Sequence, residues 1–286
     1  MKSRLVAGVL TTVLLLCGAS TLEAQRSGKN AGPRLVQILD SKSGSGESSE
    51  IAKDIPGVIT VTAKTTPRYE LSKGKDAPEL KYSRPWLEVA VPFKTNAKAG
   101  RPWIDNAKVK VELIAPVVGS RGAWEWGVLN GSFELEPVAN IGEKAIPPGY
   151  IIGEKNGFVY HMVRFYISPG IISRYFVGNH DVPKNFEKIL SGIPVRVTFE
   201  MDGVVATGIK PAGKDFADFA KKLTGIRSNL KAEDMATADA RFKDYDANGR
   251  RGYFELFDVV LSSTDSPWAW IDYERQEHTK KSESGR

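Results

Sequence analysis

The chain carries a single cysteine, Cys17, and three histidines among its 286 residues. A disulfide framework needs pairs of cysteines, and a cysteine-based zinc knuckle needs several thiolates, so both are excluded. The histidines offer little to catalysis. His161 falls in a strand pattern, His180 in an Asn-His-Asp turn and His278 in a polar tail, and no G-x-S-x-G elbow occurs. A hydrolase triad therefore has no visible pairing of nucleophile and base. Long apolar runs are also missing, which excludes a polytopic membrane protein. An excess of one charge is lacking too: 40 Lys plus Arg stand against 34 Asp plus Glu, a net +6. That charge aids solubility and weak attraction to anionic surfaces, but it is too diffuse for a nucleic-acid footprint. What is present is 41% hydrophobic and 9% aromatic residues, which supplies a core and argues against full-length disorder.

Residues 1–24 read as a secretory signal peptide. Lys2 and Arg4 precede an apolar stretch from Leu5 to Cys17, followed by Gly18, Ala19 and Ser20, with cleavage expected after Ala24. Cleavage after Ser20 is the alternative. Acylation of Cys17 would make a lipoprotein, but Leu16 stands where a small residue normally precedes such a cysteine. A retained anchor is disfavoured because the stretch falls short of the roughly 20 residues that span a bilayer. Cleavage leaves no cysteine, so an exported protein of this kind is held by its core. The destination is the periplasm, the outer membrane or the exterior.

The next segment, 25–54, is expected to be flexible. Ser41 to Ser49 alternates serine, glycine and charge without one apolar side chain. Within it Leu35, Val36, Ile38 and Leu39 form an apolar island, either an extra strand or a partner-binding segment. From 55 to 275 the pattern is that of an immunoglobulin-like antiparallel β-sandwich with two or three short helical insertions. Leu87, Val89, Val91 and Phe93 alternate, as do Val109, Val111 and Leu113, and Val195, Val197, Phe199 and Met201. Asp202-Gly203 then predicts a type I′ hairpin into 204–209. Further strands are expected at 57–64, 130–138, 157–168, 172–178 and 253–263. Helices are expected at 182–190 with Asp181 as cap, at 213–224 from the spacing of Phe216, Phe219, Ala220 and Leu223, and at 231–241. A polar tail, 276–286, closes the chain.

Three motifs could bear chemistry. Asp244 to Glu255 satisfies D-x-[DN]-x-[DN]-G-x₅-E. Calcium would take side chains from Asp244, Asp246 and Asn248, the carbonyl of Arg250 and both oxygens of Glu255, around a turn at Gly249. Two arginines beside the ion oppose this, and Asn248-Gly249 equally signals a plain hairpin. Calcium is the one cofactor the sequence raises; otherwise none is expected. Gly208 to Asp215 imitates the start of a phosphate-binding loop, but Asp215 replaces the magnesium-holding Ser or Thr and Pro211 removes a backbone donor. It reads as a strand-to-helix connection. Trp124 and Trp126, two apart in a strand, share one face and would either meet a ligand or interface or pack in the core. No catalytic residue can be named, although dispersed carboxylates would escape this reading.

A resemblance is carried by several segments together. Trp86-Leu87-Glu88-Val89-Ala90-Val91, Arg101-Pro102-Trp103-Ile104-Asp105, and a Phe254 to Ser263 strand running into Ser266-Pro267-Trp268-Ala269-Trp270 and Asp272-Tyr273-Glu274 are similar to the exported pilus-like proteins of the Verrucomicrobia pilus gene cluster, Akkermansia included. The similarity spans about 55–275. It implies an immunoglobulin-like sandwich, a non-enzymatic structural role in a type IV pilus-like envelope assembly, and partners that are other pilus-like or envelope proteins or further copies of itself. It brings no catalytic residues. No prepilin cleavage site with a long amphipathic helix is present, so the chain departs from a polymerising pilin. The competing expectations are a calcium-dependent or carbohydrate-binding adhesion module and an exported hydrolase.

Overall fold

Period-two alternation becomes strand almost wherever it occurs. The computed structural model describes residues 35–39, 58–64, 85–96, 102–119, 121–140, 154–155, 157–177, 183–223, 238–248, 252–263, 265–266 and 279–281. In chain order the strands are β1 (Val36–Ile38), β2 (Thr60–Lys64), β3 (Trp86–Asn96), β4 (Trp103–Ile104), β5 (Ala107–Val118), β6 (Trp124–Leu135) and β7 (Val138–Ala139). They continue with β8 (Glu154–Lys155), β9 (Phe158–Ile167), β10 (Val195–Met201), β11 (Val204–Lys210), β12 (Phe254–Leu256), β13 (Val260–Ser262) and β14 (Thr279–Lys281). The helices are α1 (Pro169–Ile171), which runs into a π-helical turn over Ile172–Val177, then α2 (Phe186–Ser191), α3 (Lys214–Leu223) and α4 (Ala238–Asn248).

These strands build a β-sandwich of two six-stranded sheets and a small ribbon. The first sheet runs β1-β3-β9-β13, with β2 also on β3 and β8 on β9; the second runs β11-β10-β5-β6-β12, with β14 on β6. The ribbon pairs β4 with β7. Leu87, Val89, Val91 and Phe93 of β3 face Val109, Val111 and Leu113 of β5 and Val195, Val197, Phe199 and Met201 of β10, all buried in one apolar cluster. Phe93 meets Phe199 at 4.7 Å and Phe133 meets Phe165 at 4.9 Å between ring centroids. Each such side chain contributes about 1.5–3 kcal/mol by leaving water, which is how a chain without disulfides holds together.

The hairpin at Asp202-Gly203 forms as expected: both residues have positive φ, 49° and 78°, and β10 pairs with β11 from Met201↔Val204 to Val195↔Lys210. Helix 213–224 appears as α3. The expected helix at 182–190 appears as α2, with Asn185 rather than Asp181 at its cap position; Asp181 lies outside the described residues, as do 1–34 and 40–57.

Four expectations are corrected. The strand expected at 172–178 is helical. Ser168 Oγ accepts a hydrogen bond from the Ile171 amide, Pro169 occupies the first turn and the Ile172 amide donates to the Ser168 carbonyl, so a capped start overrides the β-branched run. The strand expected at 253–263 is split into β12 and β13 by a turn in which Asp258 has φ 57°. The sandwich is not purely antiparallel, since β12 lies parallel to β6, Phe254 opposite Gly127; β12 follows a helix, and no tight turn forces it antiparallel. The helix expected at 231–241 is described only from Ala238 and runs on to Asn248, which replaces the hairpin expected around Asn248.

The apolar island forms the extra strand. Val36, Gln37 and Ile38 pair with Thr95, Lys94 and Phe93 of β3, so the segment 25–54 contributes to the first sheet. Thr279–Lys281 of the tail likewise pairs with β6.

Candidate functional site

The inner faces are filled by the core, so any site belongs to an outer face or an edge. Alternation puts Lys108, Lys110 and Glu112 of β5, Arg196, Thr198 and Glu200 of β10, and Trp124, Trp126 and Asn130 of β6 on the outer face of the second sheet. The part nearest Trp124 is covered. Phe219 of α3 meets Trp124 edge-on at 6.1 Å, and the Arg241 guanidinium of α4 lies 4.6 Å from the Trp126 ring. These contacts leave Trp124 3% and Trp126 6% exposed, so the pair shares one face as expected but is sealed inside the fold. The ligand or interface reading of the two tryptophans gives way to packing.

Beside them lies a chain of charged and phenolic groups. Arg196 Nε donates to Glu112 Oε2 and its terminal nitrogen to Asp246 Oδ2, both at 2.7 Å, while its guanidinium sits 4.8 Å from the Phe242 ring. Lys110 Nζ approaches the other oxygen of Glu112 at 2.7 Å. Burial works against the Arg196 charge, but the bonds to Asp246 and Glu112 outweigh it and hold its pKa above the ordinary value. Tyr245 donates to Glu255 Oε1 at 2.6 Å; burial and that carboxylate raise its phenol pKa. Tyr253 donates to Asp244 Oδ2 at 2.7 Å. Its pKa is pushed up to about 12, first by burial, with Arg241 pulling it down and Asp244 pushing it up.

The described calcium-motif residues Asp244, Asp246, Asn248 and Glu255 are found in this chain, and the first three are helical rather than looped. Asp244, Asp246 and Asn248 are turns of α4, where residues two apart diverge by about 200° around the axis. Asn248 Nδ2 donates to Asp244 Oδ1 at 2.6 Å, Asp246 holds Arg196, and Glu255 on β12 holds Tyr245. A helix cannot converge these oxygens on one ion. Gly249 and Arg250 lie outside the described residues, among which no group of three or more His, Cys, Asp or Glu could hold a metal.

The segment resembling a phosphate-binding loop is the expected connection from β11 to α3. Its Gly213 amide donates to the Gly192 carbonyl at 2.8 Å, so the backbone donor that would face a phosphate is engaged. Asp215 accepts from Asn185 Nδ2 at 3.3 Å across an open depression between α2 and α3. Lys210 turns its ammonium to the carbonyls of Ile193 and Pro211, and burial lowers its pKa to about 8. His161 is a core residue, stacked on Phe93 at 4.8 Å and hydrogen-bonded through Nε2 to Thr95 Oγ1 at 2.9 Å. His180 and His278 lie outside the described residues.

What the sequence did not disclose is the Arg196–Glu112–Asp246 junction. The signal was faint but present: Arg196 and Glu112 occupy outward positions of two alternating strands, and the register placing them opposite each other joins segments far apart in the chain.

The remaining feature is the edge of β3. One edge is occupied by β9 along its length, while the other carries two strands end to end, β2 on Trp86–Ala90 and β1 on Phe93–Thr95. Hydrogen bonds from the Leu39 amide to the Pro92 carbonyl and from the Asn96 amide to the Leu35 carbonyl, each 3.0 Å, extend the β1 ladder. No family model and no curated protein matches the chain. Among solved structures, a crystal structure from Akkermansia muciniphila matches at 18% identity, covering 78% of this chain and 91% of that chain, with a TM-score of 0.44. The two chains stand at a distance, and no family follows from the match.

Proposed function

We propose that this protein is an exported, non-enzymatic structural component of a pilus-like cell-envelope assembly, working through contact between strand edges. The observation that carries the reading is β1: the apolar island of Leu35, Val36, Ile38 and Leu39, followed by a polar Ser- and Gly-rich segment, supplies an added strand on β3. Strand addition supplies affinity through main-chain hydrogen bonds and specificity through alternate side chains, which suits a building block. The leader-like residues 1–24 support export. The Trp- and strand-patterned segments similar to pilus-cluster proteins support the envelope setting. The most concentrated polar chain, around Arg196, ties α4 to the sheet and thereby supports a structural role for those groups.

The test is recovery from the native envelope. The full chain, tagged at its C-terminus and expressed in its own host, is expected in the envelope fraction and to retain pilus or secretion components after detergent solubilisation. Recovery in the cytoplasm would refute export, and recovery from the envelope with no such component would refute the assembly role.

A further inference from the structure

The edge of β3 that receives β1 is shaped as a receptor for one specific segment. Val36 and Ile38 are buried, at 1% and 4% exposure, and belong to the common apolar core, so β1 inserts its side chains between the sheets as well as pairing its backbone. On the facing strand β11, Gly208 stands where Ile38 lies: a Cβ there would come within 2.5 Å of Ile38 Cγ2 and 3.4 Å of Ile59 Cδ1. A glycine inside a strand marks such a close approach. The slot is thus bounded by Phe93 and Thr95 on one sheet and Gly208 on the other, and it fits an alternating apolar pair in one register.

The plug is short, and its tether is long. β1 comprises three residues, whereas positions 40–58 separate Leu39 from Ile59, the residue before β2, and Ser41 to Ser49 among them carries no apolar side chain. Nineteen residues reach at most roughly 60 Å, so their length alone does not confine β1 to the β3 of its own molecule. A strand arriving from another copy would make the same hydrogen bonds and bury the same side chains. Contact energy therefore does not distinguish the two arrangements, and concentration and tether entropy decide between them.

We infer that Leu35–Leu39 is an exchangeable strand, which docks on β3 of a second copy of this chain in the register Val36↔Thr95, Gln37↔Lys94, Ile38↔Phe93. The occupant is a second copy because its own segment 35–39 is the sequence this slot is seen to hold. Donation from one molecule to the next is head-to-tail, so it extends into a chain of molecules unless the rotation closes a ring. The inference rests on the proposed assembly role and gives it a partner and a surface.

The experiment uses the full chain with Cys17→Ser as background. Gln37→Cys with Lys94→Cys in one molecule should oxidise to an internal disulfide, which checks the register. Gln37→Cys and Lys94→Cys on separate molecules, mixed and oxidised, should yield a 37–94 linked dimer identified by peptide mass. At low occupancy the linked fraction should rise about tenfold for a tenfold rise in concentration. Gly208→Val should reduce both links, since its side chain occupies the place of Ile38. An internal link without any mixed link at the highest concentration overturns the inference, as does a mixed link unaffected by Gly208→Val. If Lys94→Cys fails to fold, a nitroxide at Gln37→Cys mixed with isotope-labelled unmodified chain replaces it. Broadening of the 93–96 amides supports exchange, and its absence overturns it. Exchange of the purified protein alongside a failed envelope recovery would leave the strand swap standing and remove the pilus setting.

Discussion

Arg196 shows what a single side chain does here. It spans Glu112, only 3% exposed at the side chain, and Asp246, 36% exposed, and so links sheet to helix. Removing the guanidinium strands a buried carboxylate, whose remaining partner is Lys110 at 2.7 Å. Arg196→Met is therefore expected to lose about 3 kcal/mol of stability, read as a lower urea midpoint with an unchanged slope. Adding Glu112→Leu should recover most of that loss, because an apolar pair of similar volume replaces a buried ion pair at little net cost. A single variant within about 0.5 kcal/mol of the parent would show the junction to be ornamental.

Lys210 gives a pH dependence with a definite sign. Its folded pKa is about 8 against the ordinary lysine value of 10.5, so between those values the unfolded chain binds more protons and stability rises with pH. Below pH 8 the full cost of the buried charge is present. The phenol of Tyr253, raised to about 12 from 10.0, acts oppositely: its contribution is complete below pH 10 and is lost as pH climbs toward 12. Urea titrations at pH 7, 8, 9 and 10 should show the stability difference between Lys210→Met and the parent narrowing in the parent's favour by about 1–3 kcal/mol. A difference that stays constant with pH would place the ammonium in water.

At the scale of elements, the strands were legible because each carries its own signal. β3, β5 and β10 alternate apolar and polar residues, and β10 ends on Asp202-Gly203, so period and turn agree. Elements set by distant partners were not legible. In α4 only part of the signal is local: Phe242 is buried at 2% and Arg241 at 8%, and their partners Arg196 and Trp126 belong to other strands. A spacing motif counts residues, and it cannot say whether they curl into a loop or a helix. The same limit governs Trp124 and Trp126, whose shared face followed from spacing while its cover by α3 and α4 did not. Because Asp244, Asp246 and Glu255 are each held by a neighbour, the Tm of the full chain should be the same in EDTA and in millimolar calcium. An increase with calcium concentration by mass action would require the segment 244–255 to refold around the ion.

On the scale of the whole molecule, the two sheets share one core while α4 is fastened from outside. Phe93, Phe165 and Val163 of the first sheet belong to the same apolar cluster as Val111, Phe133 and Phe199 of the second. Opening either sheet alone would expose that shared surface, so the sandwich should unfold as a unit. α4 has a lesser hold: the burial of Phe242, the stacking of Arg241 on Trp126, the Arg196–Asp246 bridge, and the Tyr245–Glu255 and Tyr253–Asp244 hydrogen bonds. Native-state hydrogen exchange under increasing urea should therefore give the slowest amides of β3, β5, β9 and β10 one common opening free energy and slope, with α4 opening at a smaller one. Two separate values for the sheets would mean that the core is divided, and α4 exchanging only with the strands would make the Arg196 junction part of the global fold. The first result would also weaken a building block that must keep β3 and β11 aligned, since the slot for Ile38 is made half by each sheet.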